Sequence, residues 1–528
     1  MTFVELLAQL GGMGRFQKTY VAALAIPLLM LASHNLLQNF TAGIPDHHCR
    51  PHPVANDSSD EVPLVVFIPL DGQQQRLQSC RRYVEPQWQL LEINRTMAAN
   101  EMEMMVNGTL ATMVDTEPCR DGWVYQHKVF TQTIITEWDL VCEAKTLRQV
   151  AQSIYMAGIL VGSGLIGILS DKFGRRALLT WCYLQLGVTG AGTAAAPTFI
   201  IYCLCRFLTG LAMAGVSLNS ASLCMEWIPT EARAVVGTIN GYSYTLGQFV
   251  LAAVAFSLPQ WRWLQLVVSL PFFVFFLYSW FFVESARWQV ISGRADLALK
   301  GLRKVAQING RKEEGDKLSV EVMRGFLETS LDALRSLPVP LNHLDVSLNP
   351  SKFSTSFAYY GLAMDLQGFG VDIYLSQLVF GAVDIPAKLV SVLAISCLGR
   401  KVAQAGSLAL AGACILVNIV LPAELRILRM AFAVIGKGSL AASFNCAYIF
   451  TGELFPTAIR QTGMGLGGTL ARTGSMVAPL VRMATDISPV LPLVIYGAAP
   501  IISAVATCFL PETRNAALPE TIQDVERR

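Results

Sequence analysis

The amino-acid sequence predicts an all-α membrane protein built from two related six-helix bundles, and three observations support this prediction. Of the 528 residues, 53% are hydrophobic and 15% are charged, whereas soluble proteins have about 25% charged residues. Runs of about 20 apolar residues, enough to cross a bilayer as a helix, follow one another along the chain. Two sequence motifs each occur twice at nearly the same separation, which indicates that the halves are duplicates of one helical unit.

The motifs that are missing exclude several functional classes. The sequence has no P-loop pattern, which argues against an ATP-driven pump, and it has neither a zinc-protease nor a serine-hydrolase motif. It has no group of histidines and cysteines at the spacing of metal ligands. We therefore expect a protein that is not an enzyme, needs no cofactor or metal, and binds no nucleic acid.

The chain begins with an amphipathic segment, residues 1–18, which we expect to be cytoplasmic. It continues into the first predicted span at 19–40. No cleavable signal peptide is predicted, because this full-length span serves as its own targeting signal. The span contains Pro27 and, in its C-terminal half, His34, Asn35 and Asn39. Polar groups at this depth must face other helices or a cavity.

A long polar loop, residues 41–147, follows the first span and is predicted to be extracellular. It contains three glycosylation sequons, at Asn56, Asn94 and Asn107, and such acceptors are typical of surface loops in secreted proteins. It also contains four cysteines: Cys49, Cys80, Cys119 and Cys142. Four cysteines beside sequons indicate two disulfides in an oxidising compartment, and the sequence leaves all three pairings open.

Ten further spans are predicted at 149–169, 177–196, 199–225, 234–258, 263–283, 373–398, 402–421, 428–451, 461–484 and 489–510. The distribution of basic residues sets their orientation. With the polar loop outside, the short inner loops hold most of them: Lys172, Arg175, Arg176, Arg233, Arg400, Lys401 and Arg460. Both termini, including the tail 511–528, are then cytoplasmic. This requires an even number of spans, and therefore a seventh crossing before 373–398.

Residues 284–352 are predicted to connect the two bundles on the cytoplasmic side. The segment is charged, with apolar residues such as Ala298, Leu302 and Val305 at helical spacing. This pattern predicts short amphipathic helices under the membrane face, and a solvated connector is the alternative. The N-terminal bundle is then 19–283, including the extracellular loop 41–147, and the C-terminal bundle is 353–510.

The two repeated motifs lie in the predicted cytoplasmic turns. Gly167-Ile-Leu-Ser-Asp171-Lys-Phe-Gly174-Arg175-Arg176 has a degenerate partner in Gly399-Arg400-Lys401, 225 residues later, and Glu226-Trp-Ile-Pro-Thr-Glu-Ala-Arg233 recurs 227 residues later as Glu453-Leu-Phe-Pro-Thr-Ala-Ile-Arg460. Acid and base pairs at helix ends can hold one conformation of two rocking bundles. We therefore predict a conformational clasp, with tight charged turns as the alternative. Its residues are Asp171, Arg175, Arg176, Glu226, Arg233, Glu453 and Arg460.

A lone arginine, Arg472, lies near the middle of the predicted span 461–484, which is rich in glycine. It is too deep to reach the headgroups easily. A charge at the bilayer centre costs at least ~2.5–3.5 kcal/mol, so by default such a residue marks a ligand site or pathway. The alternative is a structural ion pair with a carboxylate on another helix.

The motif at 167–176 resembles the signature of the major facilitator superfamily. The cysteine-bearing outer loop and Glu284-Ser-Ala-Arg287-Trp288 look like the organic-ion solute carriers. Ser33-His-Asn-Leu-Leu-Gln38 and Phe357-Ala-Tyr-Tyr-Gly361 are similar to the organic-anion branch. The resemblance covers nearly the whole chain and implies twelve spans that work by alternating access. Arg472 stands where that branch has its anion-binding arginine and the organic-cation branch has an acidic residue.

One stretch departs from the family, at the start of the seventh span. Pro338, Pro340, Asn342, Pro350 and Lys352 stand where an apolar helix should begin, and family members usually have an aromatic residue near Lys352. Only about residues 353–369 have the composition of a span, which is short. The seventh helix is therefore short and late, or 336–356 is a divergent or faulty stretch and the protein transports poorly.

Seven residues are predicted to bind substrate near the midplane, between the bundles. They are Asn35, Tyr244, Tyr359, Tyr360, Lys388, Phe444 and Arg472. Arg472 suits a carboxylate because a guanidinium donates two parallel hydrogen bonds. The aromatic positions, which the resemblance assigns, suit flat hydrophobic anions, with ordinary packing as the alternative. Lys388 follows Asp384 by four residues, so an intrahelical ion pair is its alternative role, and Lys437 has no evident partner.

The resemblance implies a polyspecific organic anion transporter of the plasma membrane. It would exchange amphipathic organic anions against an intracellular dicarboxylate such as 2-oxoglutarate, with chloride as a further candidate partner. A narrow-range carrier for urate, a steroid sulfate or a zwitterion is one alternative. A transport-impaired receptor or scaffold is the other.

Overall fold

The computed structural model describes residues 3–52, 63–71, 76–89, 115–229, 232–319, 344–422, 424–454 and 460–514. The chain divides into two compact units. The helical unit comprises Met1–Asn39, Gln149–Leu258 and Arg262–Arg528, and the loop unit comprises Phe40–Arg148 and Pro259–Trp261. The polar loop that follows the first predicted span thus forms a compact unit of its own.

The first long helix, α2 (Arg15–Leu36), lies between two short ones, α1 (Phe3–Gln9) and α3 (Gln38–Thr41). Pro27 lies inside α2, and the polar residues of its C-terminal half are buried. They contact other helices, as the sequence predicts for polar groups at this depth.

The loop unit is held together by short strand pairs and two disulfides. The strands described in it form three antiparallel pairs: β1 (His47–Cys49) with β6 (Trp123–Tyr125), β2 (Leu70–Asp71) with β3 (Arg76–Leu77), and β4 (Arg81–Tyr83) with β5 (Thr116–Pro118). The short helix α4 (Ile134–Trp138) is capped by Thr133. Cys49 is bonded to Cys119 and Cys80 to Cys142. The two predicted disulfides are therefore confirmed, and their pairing is resolved.

The helices of the remaining N-terminal spans follow in chain order. They are α5 (Leu147–Phe173), α6 (Arg175–Ala194), α7 (Phe199–Trp227), α8 (Arg233–Ser257), α9 (Trp261–Ser269) and α10 (Pro271–Ser279). Together α9 and α10 fill one predicted span. Gly158 of α5 lies against the backbone of α7, where any added side chain would collide with the Phe207 carbonyl. Such glycines let helices pack closely, which matters in a membrane because the hydrophobic effect does not drive helices together there.

Three short helices occupy the start of the segment between the bundles. They are α11 (Ala286–Ile291), α12 (Ala295–Ile308) and α13 (Lys312–Asp316). The apolar face of α12, including Ala298, Leu302 and Val305, is buried in the core of the N-terminal half. The short amphipathic helices predicted here are therefore present. Their burial shows that α12 packs against the N-terminal helices instead of forming a solvated connector.

The described part of the C-terminal half has six α-helices. They are α14 (Leu344–Ala363), α15 (Ile373–Cys397), α16 (Arg400–Val420), α17 (Arg426–Leu454), α18 (Arg460–Val481) and α19 (Leu491–Thr507). Within the described part of the chain, seven helical segments are long and apolar enough to cross a membrane. They are Arg15–Thr41, Cys142–Phe173, Phe199–Trp227, Trp261–Ser279, Ile373–Cys397, Arg400–Val420 and Arg426–Thr451. The other predicted spans coincide with α6, α8, α14, α18 and the shorter apolar α19.

The seventh helix begins earlier than the composition of 353–369 suggests. Helix α14 starts at Leu344 and contains Pro350. Its hydroxyl groups form hydrogen bonds with α19. The hydroxyl oxygens of Ser351 and Thr507 are 2.9 Å apart, and those of Ser354 and Ser503 are 2.6 Å apart. The expected late start is wrong for a physical reason: interhelical hydrogen bonds satisfy polar side chains that a hydropathy count penalises.

Candidate functional site

Asn35 of α2 lies at the centre of a buried hydrogen-bond network in the N-terminal half. Its side-chain carbonyl accepts from the hydroxyl of Tyr155 on α5 at 2.7 Å, and its side-chain amide donates to the hydroxyl of Tyr244 on α8 at 3.4 Å. Gln152 of α5 donates to the Asn35 backbone carbonyl at 3.5 Å. The predicted site residues Asn35 and Tyr244 are thus in direct contact, and side chains of two neighbouring helices, α5 and α8, fix the position of Asn35.

Arg206 of α7 supports this network, although it is not among the residues predicted from the sequence to bind substrate. Its side chain is 1% exposed and donates to the side-chain carbonyl of Gln152 at 3.2 Å. Its guanidinium lies over the Tyr155 ring, 4.2 Å from the ring centroid. Arg206 is a lone arginine within a predicted span, as Arg472 is. The same sequence feature could therefore have identified Arg206.

Replacing Tyr155 by phenylalanine is expected to lower the free energy of unfolding by about 1–3 kcal/mol, because it leaves the buried Asn35 side-chain carbonyl without its 2.7 Å donor. The melting temperature of the detergent-purified protein measures this effect. Tyr242→Phe removes the same hydroxyl from a half-buried tyrosine of α8 that forms no hydrogen bond with a described residue, and it is the matched control. Equal melting temperatures for the two variants would contradict the role of the network.

The predicted aromatic residues of the C-terminal half form one continuous cluster. Tyr359 of α14 contacts Tyr360 and, edge to face, Phe444 of α17, each at 5.5 Å between ring centroids. Tyr360 interacts with Tyr244 of the N-terminal half. The structure therefore joins Asn35, Tyr244 and the three C-terminal aromatic residues in one series of contacts. Tyr360 and Phe444 are half-buried, so their rings can offer a surface to a ligand.

Asp384 of α15 pairs with Lys437 of α17, which corrects two expectations. The Lys437 ammonium lies 3.1 Å from both Asp384 carboxylate oxygens, and both side chains are almost fully buried. It also donates to the Phe380 carbonyl at 2.5 Å. An evident partner for Lys437 therefore exists, and Asp384 is engaged by a residue 53 positions away, not by Lys388 on its own helix. Gln248 of α8 donates to Asp384 at 2.9 Å, which connects this pair to the N-terminal half.

Lys388, predicted to bind substrate, extends from α15 to α8. Its ammonium donates to the Gly241 carbonyl at 2.6 Å and to the Thr245 hydroxyl at 2.9 Å. The intrahelical pair with Asp384 is not formed. Lys388 thus reaches the residue next to Tyr244, at the contact between the two halves, with its charge stabilised by neutral oxygens.

Arg472 lies half-buried on α18, beside Gly468 and close to Tyr360. No carboxylate among the described residues forms an ion pair with it. The alternative role of a structural ion pair therefore has no partner in the described part of the chain. A cation at this depth without a counter-charge is stabilised when an anionic ligand binds.

The N-terminal part of the predicted clasp forms ion pairs at the ends of α5, α6 and α7. Arg175 lies 3.0 Å from Asp171 and 3.6 Å from Glu226. Arg176 donates to the Trp280 carbonyl. The Glu284 carboxylate accepts the backbone N–H groups of Arg175 and Arg176, each at 3.1 Å, and so caps the start of α6.

The C-terminal half repeats this arrangement. Arg400 donates two hydrogen bonds of 2.9 Å to Glu453, and Glu512 accepts the backbone N–H groups of Arg400 and Lys401 at 2.8 and 3.0 Å. Glu512 is thus the structural counterpart of Glu284, 228 residues later. The similarity of Glu284-Ser-Ala-Arg and Glu512-Thr-Arg could have identified it. Each set of ion pairs joins helices of one half in the described residues.

Several predicted residues lie outside the described part of the chain. They are the sequons at Asn56, Asn94 and Asn107 and the side chains of Arg233 and Arg460. Their predicted roles in glycosylation and in the clasp stay predictions.

Comparison with protein families and curated proteins gives a consistent result. The family described as sugar (and other) transporter matches residues 122–524. Solute carrier family 22 member 6 of Oryctolagus cuniculus is 53% identical over 536 residues, which cover 100% of this chain and 95% of that protein. Its counterpart from Rattus norvegicus is 52% identical with the same coverage.

Solved structures with a similar fold include the xylose transporter of E. coli. An inward open conformation of it superposes with a TM-score of 0.59 at 18% sequence identity, covering 74% of this chain and 91% of that one. The same proton:xylose symporter bound to 6-bromo-6-deoxy-D-glucose gives a TM-score of 0.58 at 16% identity, with coverage of 96% and 98%. At this identity the likeness concerns the fold alone.

Proposed function

The chain belongs to solute carrier family 22, in the sugar (and other) transporter family of the major facilitator superfamily, and we propose that it transports organic anions across the plasma membrane. One observation supports this function above the others: Arg472 is half-buried beside an aromatic cluster and forms no ion pair with a described carboxylate. A bidentate guanidinium and flat rings together suit an aromatic carboxylate.

The bound substrate would lie between the two halves. Its carboxylate would meet Arg472, and its apolar body would pack against Tyr360, Tyr359 and Phe444, with Tyr244 and Asn35 on the opposite side. Lys388 would raise the positive potential of the same region. We expect polyspecificity, because rings and one charge constrain a ligand's shape less than a set of directional hydrogen bonds would.

Alternating access needs contacts between the halves that can break. Asn39 donates to the Ala363 carbonyl at 2.8 Å, and Gln248 donates to Asp384 at 2.9 Å. Both are single hydrogen bonds between the two halves, and neither is an ion pair. The ion pairs of Arg175 and Arg400, in contrast, each join helices within one half. Asn39 lies at the C-terminal end of the first predicted span, so with cytoplasmic termini we expect its contact to break when the outer side opens.

A short transport assay tests this function directly. Cells that produce the chain should accumulate a labelled aromatic carboxylate faster than control cells, and the accumulated compound should be chemically unchanged. Chemical turnover of the compound would indicate an enzyme. Surface expression without uptake of any organic anion would leave a receptor or scaffold as the better interpretation, although the described hydrogen bonds of α14 favour an intact seventh helix.

We further propose exchange against an intracellular dicarboxylate such as 2-oxoglutarate. Preloading cells with this dicarboxylate is expected to raise the initial uptake rate several-fold, because about a tenfold outward gradient supplies ~1.4 kcal/mol for each exchange. Uptake of the labelled carboxylate into preloaded and mannitol-loaded cells measures the effect. Equal rates in the two conditions would reject exchange while leaving anion transport intact.

A further inference from the structure

A second cation, Lys352 on the seventh helix α14, lies next to the proposed anion site. The side chain of Lys352 on α14 crosses Gly467 of α18, where an added Cβ would lie only 2.5 Å from its Cδ and 2.9 Å from its Cε. Lys352 itself is half-buried. The aliphatic part of the Lys352 side chain therefore fills the space that a side chain at position 467 would occupy.

Lys352, like Arg472, is not neutralised by the described part of the protein. Neither side chain donates a hydrogen bond to, or forms an ion pair with, a described residue. The other deep cations each donate at least one hydrogen bond: Lys437 to Asp384, Lys388 to two oxygens of α8, and Arg206 to Gln152. Charges at this depth are costly unless they are paired or serve a ligand. The contrast indicates that the two uncompensated cations serve a ligand.

The two cationic groups lie beside consecutive residues of α18. The Lys352 ammonium lies against Gly467, and the Arg472 guanidinium lies 3.8 Å from the position of a Cβ on Gly468. Gly467 and Gly468 are consecutive, and consecutive Cα atoms are ~3.8 Å apart. Both charges thus lie beside the same turn of α18. Two like charges in this position repel one another, and a ligand with two acidic groups neutralises both.

We propose that Lys352 is a second anion-binding residue that gives this carrier a preference for organic anions with two acidic groups over those with one. The proposal rests on the proposed function, because Arg472 must bind the first acidic group. The organic-anion branch that the sequence resembles usually has an aromatic residue near this position. The preference is therefore a property of this chain.

The test compares two substrates that differ in one acidic group: 4-carboxyphenylacetate and 4-methylphenylacetate. In the wild type the first should have the higher Vmax/KM. Lys352→Met keeps the length of the side chain and removes the charge, so the ratio of the two Vmax/KM values should fall about tenfold, the loss expected for one charge-assisted hydrogen bond. Lys352→Arg should restore the ratio. Lys300→Met, at an exposed lysine of α12, is the matched control and should leave the ratio unchanged.

A second variant tests the role of Lys352 in substrate preference without replacing the lysine. Gly467→Ala should displace the Lys352 side chain and lower the ratio in the same direction. An unchanged ratio in both Lys352→Met and Gly467→Ala, with uptake of 4-methylphenylacetate retained, would overturn the role of Lys352 and leave the proposed function in place. Absence of uptake of both substrates in the wild type would instead overturn the proposed function.

Discussion

Replacing Arg472 by aspartate is expected to lower uptake of aromatic carboxylates at least about 100-fold, because the change removes the bond to the substrate and places a like charge beside it. A hydrogen bond between charged groups contributes about 1.5–3 kcal/mol, and each 1.4 kcal/mol is about tenfold in affinity. The repulsion of the new carboxylate adds to this loss. Initial uptake of a labelled aromatic carboxylate, divided by the amount of protein at the cell surface, measures the effect.

Two further variants separate charge from geometry at this position. Arg472→Lys keeps the charge but not the planar fork, so an intermediate loss of about tenfold is expected. Arg311→Asp makes the same charge change at an exposed residue between the bundles and should transport like the wild type. Uptake by Arg472→Asp within about threefold of the wild type would show that the arginine does not contact the substrate.

The position of Arg472 was predictable because a charge deep in an apolar helix is costly wherever it occurs. The same rule, applied evenly, would have identified Arg206 and with it the network around Asn35. The repeated turns were predictable for a different reason. Gly174 and Gly399 adopt positive φ angles of 104° and 102°, and only glycine adopts such angles readily, so both halves show the same residue at the same place.

The partner of Asp384 could not be predicted, because the nearest cation in the sequence, Lys388, is not the cation that contacts Asp384 in the fold. Four-residue spacing puts Lys388 and Asp384 on one side of an isolated helix. In the folded protein α8 supplies oxygens for Lys388, and α17 brings Lys437 to Asp384. The disulfide pairing and the start of α14 could not be predicted for the same reason, since each depends on contacts between segments that are distant in the sequence.

Neutralising Lys437 alone or Asp384 alone is expected to lower the free energy of unfolding by about 3–5 kcal/mol, because each change leaves the other charge buried without its partner. The Lys437 side chain is 1% exposed and the Asp384 side chain 3%, so water cannot replace the lost contact. The variants are Lys437→Met and Asp384→Asn. The melting temperature in detergent and the amount of protein at the cell surface measure the effect.

The double variant Asp384→Asn/Lys437→Met should regain most of the lost stability, because it buries no charge. The introduced asparagine would keep a side-chain oxygen to accept the hydrogen bond from Gln248, so the contact between the halves would persist. Recovery of the melting temperature together with uptake would show that the pair is structural. Recovery of the melting temperature without uptake would show that its charge is needed during the transport cycle. If the two single losses simply add in the double variant, the residues do not act as a pair.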